Sequence, residues 1–321
     1  MKYEFQGNFS GRIRDMLEYR SALGRDIVGY GWGLENFDRF CISRYPDESL
    51  LTKELVFAWC NDAGGGGGGH RAYIIRGFAR YLISIGDDAF LMPPGFFPPR
   101  KPDLPYIFTE SELRRFFEAT DRFPSYCNSP LLEYTVPVVF RLQYACGLRP
   151  QEARMLKRTD FNFADNTIYI AEAKHCKDRR LAVNPDVMEM CRNYDRIAET
   201  VIPSRVYFFQ SPQTGGAYGP AWLTAKFHQC WEMSGNETVT GRGSCTPYAF
   251  RHNYATQTLM RWVEEGKDLN AWIPYLCAYM GHATYSATFY YVHLLPERLR
   301  GMGFMSVSDI IPEVDDEEET E

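Results

Sequence analysis

Residues 167–185 read TIYIAEAKHCKDRRLAVNP, and here the sequence pattern changes from helix to strand. TIYIAEA and RRLAV are short runs rich in β-branched and aromatic residues, split by the polar HCKD, which is the pattern of a tight antiparallel hairpin. Asn184-Pro185 follows as the cap and first residue of a helix. Outward from this hairpin the chain reads as helix. Upstream, an apolar helix over 131–146 is ended by Gly147, and Pro150 opens the next one with Glu152 in its first turn. Downstream, about 219–300 is helical with short breaks. Thr109 starts a helix with Glu110 and Glu112 in its first turn. The expected fold class is mainly α with a small antiparallel β-hairpin or sheet.

Further upstream, residues 91–105, LMPPGFFPPRKPDLP, hold six prolines and resist both helix and strand, which predicts an inter-domain linker. Residues 1–90 read as mostly helical. LTKELVFAWC at 51–60 places Leu51, Leu55 and Ala58 at helical spacing. RAYIIRGFARYLISI at 71–85 gathers Ile74, Ile75, Phe78, Tyr81 and Leu82 on one side, with Arg71, Arg76 and Arg80 largely on others. Those arginines read as a solvated face or as a phosphate-gripping stripe. Gly64–Gly69 reads as a flexible loop. It is not a phosphate-binding loop, since no strand precedes it and no Lys-Ser/Thr follows. The expected organisation is a helical domain over 1–90, a linker over 91–105, a second domain over 106–300 and a C-terminal segment over 301–321.

A chain of 321 residues suits two domains, with 45% apolar and 24% charged residues as in ordinary globular proteins. The net charge of −6 argues at first against a nucleic-acid partner. However, EVDDEEETE at 313–321 carries seven acids, and removing those takes the charge from −6 to +1. A basic face must then be a local patch. The nine cysteines form no C-x-x-C pair, which fits a reducing cytoplasm. The opening MKYEFQGNFSGRIRD has no apolar core of a signal peptide, and no apolar run approaches the roughly 18–20 residues that span a bilayer. A soluble, cytoplasmic protein is expected.

Three segments could carry chemistry. In GLRPQEARML (147–156), Arg149 sits at a helix junction and Glu152 can orient its guanidinium. In TPYAFRHNYAT (246–256), Tyr248, Arg251 and His252 share a helix face at i, i+3, i+4 spacing. In MGHATYSATFYYVH (280–293), Gly281 ends a helix, His282 follows, and Tyr290 and Tyr291 come eight and nine residues later. Taken singly, these read as a surface ion pair, a polar helix mouth and core aromatics with a wet edge. His70, His175 and His228 lack partners at metal-ligand spacing, and no metal is expected.

The order changes that reading. An Arg with a following Glu, a hairpin Lys, an Arg-His pair, a Gly-His and a Tyr nine residues after that His resembles the catalytic domain of the tyrosine recombinases, the phage integrase family. The resemblance covers about 106–300, and 1–90 is similar, less specifically, to that family's helical (SAM-like) core-binding domain. It implies a two-domain clamp on double-stranded DNA and a reaction without metal or nucleotide cofactor. In that reaction a tyrosine oxygen attacks a phosphodiester, a 5′-hydroxyl leaves, and a 3′-phosphotyrosyl bond stores the energy for rejoining. It implies Tyr291 as nucleophile, and Arg149 and Arg251 as clamps whose paired donors fit two phosphate oxygens. His282 would hydrogen-bond the scissile phosphate, and Glu152 would orient Arg149. AKHCKDRRLAV aligns with the family's G-K-G-x-K pattern, so Lys174 would protonate the leaving oxygen, with Lys177 as runner-up because the flanking glycines are absent. Arg179 and Arg180 would touch the DNA backbone or cap the hairpin. The cationic cluster would help Tyr291 lose its proton as it attacks.

One position departs from the family: Tyr248 stands where a histidine is usual three residues before the second arginine. A neutral phenol donates a hydrogen bond to phosphate but accepts a proton poorly. The resemblance further implies a homotetramer on paired DNA sites, with 299–312, LRGMGFMSVSDIIP, docking on a neighbouring protomer. The use expected is integration or excision of a mobile element. The alternatives are a type IB topoisomerase-like enzyme, which relaxes supercoils without pairing sites, and a catalytically inactive DNA-binding regulator, which forms no covalent adduct.

Overall fold

The computed structural model describes residues 3–25, 27–63, 67–97, 105–171, 178–237, 243–282 and 284–292. The chain divides into two compact units, Met1–Pro102 and Asp103–Glu321. Lys174 and Lys177, His293, and all of 301–321 lie outside the described residues, as do several positions of the proline-rich stretch.

Among the described residues the first unit holds four helices, α1 (Ser10–Ala22), α2 (Val28–Arg44), α3 (Lys53–Asn61) and α4 (Gly68–Ser84). Thr52 caps α3 by accepting from the Leu55 amide at 3.3 Å. The buried face of α3 is Leu55, Val56, Trp59 and Cys60. Leu51 is buried too, but ahead of the helix, where it bridges to Ala89, and Ala58 is only half-buried. In α4, Ile74, Ile75, Phe78 and Leu82 face the core as their spacing predicts. Each fully buried Leu or Phe contributes roughly 1.5–3 kcal/mol. That matters for α2, whose glycines are poor helix formers: a Cβ at Gly33 would lie 2.2 Å from Ile74 Cδ1, so the glycine lets α2 and α4 approach closely. The glycine run is not all loop, because Gly68 and Gly69 open α4.

The second unit begins its helices with α5 (Glu110–Asp121), closed by a capping box in which Thr109 and Glu112 satisfy each other's backbone amides. Then come α6 (Leu132–Cys146), α7 (Pro150–Met155) and a single 3-10 turn at Arg158–Asp160. The strands β1 (Phe161–Asn162), β2 (Thr167–Ile170) and β3 (Arg179–Ala182) form one antiparallel sheet in the order β1-β2-β3. Thr167 pairs with Ala182 and Ile168 with Leu181. The predicted hairpin is β2–β3. The two-residue β1 was too short to leave a sequence signal. After it follow α8 (Pro185–Val201), capped by Asn184, then α9 (Pro220–Met233), α10 (Tyr248–Glu264), α11 (Leu269–Met280) and α12 (Ser286–Val292). The described part of the chain is thus mainly helical with one small antiparallel sheet.

The core of this unit packs α5, α6, α9 and the start of α10 around Phe116, Phe140, Phe227 and Phe250, all fully buried. A second cluster joins α10, α11 and α12 through Ala255, Leu259, Ile273, Leu276, Met280 and Tyr291. Gln143 on α6 donates to the Pro247 carbonyl at 3.0 Å and so pins the start of α10. Among the described residues, no helix is long and apolar enough to cross a membrane.

Candidate active site

The site forms where the C-terminal ends of α6 and α11 meet α10 and α12. Gly147 and Gly281 end α6 and α11 in the left-handed conformation, with φ of +59° and +64°. Their turns aim backbone carbonyls inward, and two arginines collect them. Arg251 Nη1 donates to the Gly147 carbonyl at 2.8 Å, and Nη2 donates to that of Met280. Arg149 Nη2 donates to the Gly281 carbonyl at 2.7 Å.

Glu152 is the hub. Its carboxylate accepts from Arg149 Nη1 at 2.6 Å and from the Arg149 backbone amide at 2.9 Å. On its other side Arg179 donates through Nη1 at 3.0 Å and Nη2 at 2.9 Å. Burial alone would raise the Glu152 pKa. The hydrogen bonds and charge of Arg179, with Arg149 behind them, outweigh it and hold the group below the usual carboxylate range. The expected orienting role of Glu152 therefore has a direct geometric counterpart.

Arg179 differs from expectation. Its Nε donates to the Tyr279 carbonyl at 2.7 Å and both terminal nitrogens engage Glu152, so it is spent inside the protein rather than reaching for a DNA backbone. The sequence held a signal for this. Strand alternation puts 179 on the same face as the fully buried Leu181, while Arg180 and Tyr169 point out together.

Arg251 is fully buried, and among the described residues its Nε has no hydrogen-bond partner. Burial, with Arg149 beside it, lowers its pKa to about 10, which leaves it charged at neutral pH. Such an arginine, with a buried donor unmet, is poised to gain from an anion.

The two histidines of this pocket are neutral at physiological pH. His282 bonds Thr288 Oγ1 through Nδ1 at 2.7 Å, and its ring stacks on Tyr291 with centroids 6.2 Å apart. Its pKa falls to about 3, by burial first and then by Arg251, Arg149 and Arg179. From the sequence, His252 is a neighbour on the helix face with no role of its own. Its Nδ1 lies 3.0 Å from the Tyr291 hydroxyl. Burial and then Arg251 lower its pKa to about 4.

Tyr291 is 3% exposed and is the tyrosine whose hydroxyl meets this cluster. Its pKa is raised. Burial dominates, and the opposing pull of Arg251 and Arg149 is smaller. Both arginines pull in the direction that eases ionisation, but in the DNA-free fold burial is the larger effect and the phenol is held neutral. Tyr248 sits at the mouth, 39% exposed, with its ring edge-on to His252 at 5.0 Å between centroids. The structure thus brings together Arg149, Glu152, Arg251, His282 and Tyr291, adds His252 and Arg179, and leaves Tyr248 at the rim.

Comparison with known proteins identifies the family. The model of the phage integrase family matches residues 107–298. A Sinorhizobium fredii protein named as an integrase/recombinase, y4rB, is 27% identical over 303 residues, covering 91% of this chain and 95% of that protein. The tyrosine recombinase XerC of Nitrobacter winogradskyi is 28% identical over 227 residues, covering 70% of this chain and 66% of its own. Among solved structures, XerH recombinase bound to palindromic difH in a post-cleavage complex superposes with a TM-score of 0.64 at 17% identity, over 89% of this chain and 81% of that one. A lambda integrase (75–356) dimer bound to a COC′ core site gives a TM-score of 0.60 at 14% identity, over 86% and 96%. With its family model spanning well over half its length, the chain belongs to the phage integrase family, the tyrosine site-specific recombinases.

Proposed function

We propose that the protein cuts and rejoins double-stranded DNA at a specific site through a 3′-phosphotyrosyl bond on Tyr291, and so integrates or excises a mobile element in the cytoplasm. The observation that carries this reading is the Tyr291 hydroxyl enclosed with Arg251, His252 and His282, beside an Arg149 oriented by Glu152. Attack on phosphorus builds negative charge on the non-bridging oxygens. Arg149 and Arg251 meet that charge, and His282 donates a hydrogen bond to it. Removing one such preorganised donor costs on the order of 10²–10³ in rate. Lys174 protonates the leaving 5′-oxygen, and Tyr248 donates to the phosphate from the rim.

The helical domain over 1–90, joined by the linker 91–105, grips the DNA, and the catalytic domain over 106–300 acts on it. Four protomers hold two sites, with 299–312 of one docking on the next. Support comes from relatives solved on DNA, including a lambda integrase tetramer bound to a Holliday junction.

The test is a nicked suicide substrate carrying the gene's native flanking sequence, with wild type beside Tyr291→Phe. An SDS-resistant protein–DNA adduct is expected from wild type and lost in the variant. Specific binding without any adduct would make the chain a non-catalytic DNA-binding protein. Relaxation of a plasmid that lacks paired sites would make it a topoisomerase.

A further inference from the structure

We propose that His252 is the catalytic base that takes the proton from Tyr291 as it attacks, filling the place left by the histidine absent at 248. The inference rests on the reading of Tyr291 as nucleophile. Among the described residues, His252 is the one group hydrogen-bonded to the Tyr291 hydroxyl, Nδ1 to Oη at 3.0 Å. The other polar groups of the pocket do not serve. Arg149 and Arg251 are cations without an acceptor atom. Both oxygens of Glu152 are held by Arg149 and Arg179. His282 has its Nδ1 on Thr288 and lies nearly parallel to the Tyr291 ring, at 15°, stacked on it. Tyr248 stays at the rim, its ring edge-on to His252.

A neutral phenol attacks poorly, and burial makes the Tyr291 proton harder to lose. A base in contact is therefore what the step requires. The groups facing His252 are Arg251 and Tyr248 on its own helix and Tyr291 on α12. Arg251 and burial keep the imidazole unprotonated and so able to accept. The same Arg251 makes it a weak base while the pocket holds no anion. A scissile phosphate seated on Arg251 and Arg149 brings the opposite charge and raises the proton affinity of His252 when it is needed.

In the step, the Oη lone pair forms the bond to phosphorus and its proton passes to Nδ1. The P–O5′ bond breaks, and the 5′-oxygen leaves with a proton from the hairpin lysine. On rejoining, the 5′-hydroxyl attacks phosphorus and gives its proton back to the hairpin lysine, while the P–Oη bond breaks and the His252 imidazolium returns its proton to Oη.

The experiment measures single-turnover suicide cleavage by wild type, His252→Ala, His252→Asn and Lys174→Ala. It uses an ordinary substrate and one whose 5′-bridging oxygen is sulfur, a leaving group that needs no proton. Asn places a hydrogen-bonding atom near the position of Nδ1 but cannot carry the proton. Duplex binding and thermal melting identify any variant that is merely unfolded. Both His252 variants are expected to cleave about 10²–10³-fold more slowly, within the range for general base catalysis. Their defect should persist on the sulfur substrate and shrink as pH rises and hydroxide supplies the base. Lys174→Ala should be rescued by sulfur. A His252→Asn enzyme that cleaves at the wild-type rate, or one rescued by sulfur, overturns the assignment while leaving Tyr291 as nucleophile. Absence of adduct from wild type removes both readings.

Discussion

At the scale of single residues, the site is built from groups held away from their ordinary protonation behaviour, and this has a consequence for stability. His252 and His282 have folded pKa values of about 4 and about 3, against an ordinary 6.5. The unfolded chain therefore binds protons at a higher pH than the folded one, and stability rises with pH across that interval. The contribution is fully present above about pH 6.5 and is lost as pH falls towards 4 and then 3. Glu152, held below its usual range, acts in the same sense but lower: its contribution is present above the unfolded carboxylate pKa and lost as pH falls through the folded value. Thermal melting should show a midpoint that is flat above pH 7 and declines from about pH 6.5. Replacing both histidines by Asn should remove most of the decline between 6.5 and 4. A decline that survives in the double variant would place the proton uptake elsewhere. Spacing made Arg149, Glu152, Arg251, His282 and Tyr291 legible in the sequence. His252 was visible on the same helix face but lacked an assigned task, because its bond to Tyr291 joins α10 to α12 and depends on how those helices pack.

At the scale of elements, the site depends on where helices stop. Gly147 at the end of α6 is in the left-handed region, and its carbonyl holds Arg251. A Cβ there would be strained by the backbone and would also lie 2.7 Å from Tyr254 Cδ1, a ring stacked on Tyr279. Gly147→Ala should destabilise the protein by roughly 1–3 kcal/mol. It should slow cleavage by folded molecules more than Gly266→Ala, a positive-φ glycine with open space around it. Chemical denaturation and single-turnover cleavage check the two parts. Equal effects at both positions would reduce the role of Gly147 to backbone strain alone. These helix ends were readable in advance because Gly and Pro punctuate them on either side of Arg149. The hairpin was readable through its β-branched runs. The strand β1 was not, since two residues carry no period, and the inward turn of Arg179 is hidden by its residue type, because an arginine on a hairpin suggests solvent or phosphate before it suggests a buried carboxylate.

At the scale of the whole molecule, charge is distributed against the proposed partner. The chain carries −6, yet seven of its acids fall within 313–321. The rest is close to neutral, so attraction to DNA must come from local arginine groups. One such group lies in the first unit, where Arg20, Arg25, Arg76 and Arg80 line a cavity of about 690 Å³ with Tyr19, Tyr73 and Tyr81. Arg71 is not part of it, because it is turned to the Trp59 carbonyl and Asp62. Binding that relies on few phosphate contacts is sensitive to any competing negative charge at low salt, where screening extends to about 30 Å at 0.01 M and falls to about 10 Å at 0.1 M. Deleting 313–321 should therefore tighten non-specific duplex binding several-fold at 10–20 mM salt, on the order expected for a few kT of removed repulsion. The gain should fade by about 0.15 M, where screening reaches only about 8 Å. Adduct yield at the specific site should stay unchanged, because none of the deleted residues belongs to the catalytic cluster. Fluorescence anisotropy on an unrelated duplex across a salt series would read the effect. Equal affinity of the two forms at the lowest salt would mean that the acidic run does not oppose DNA and serves only to keep the protein in solution.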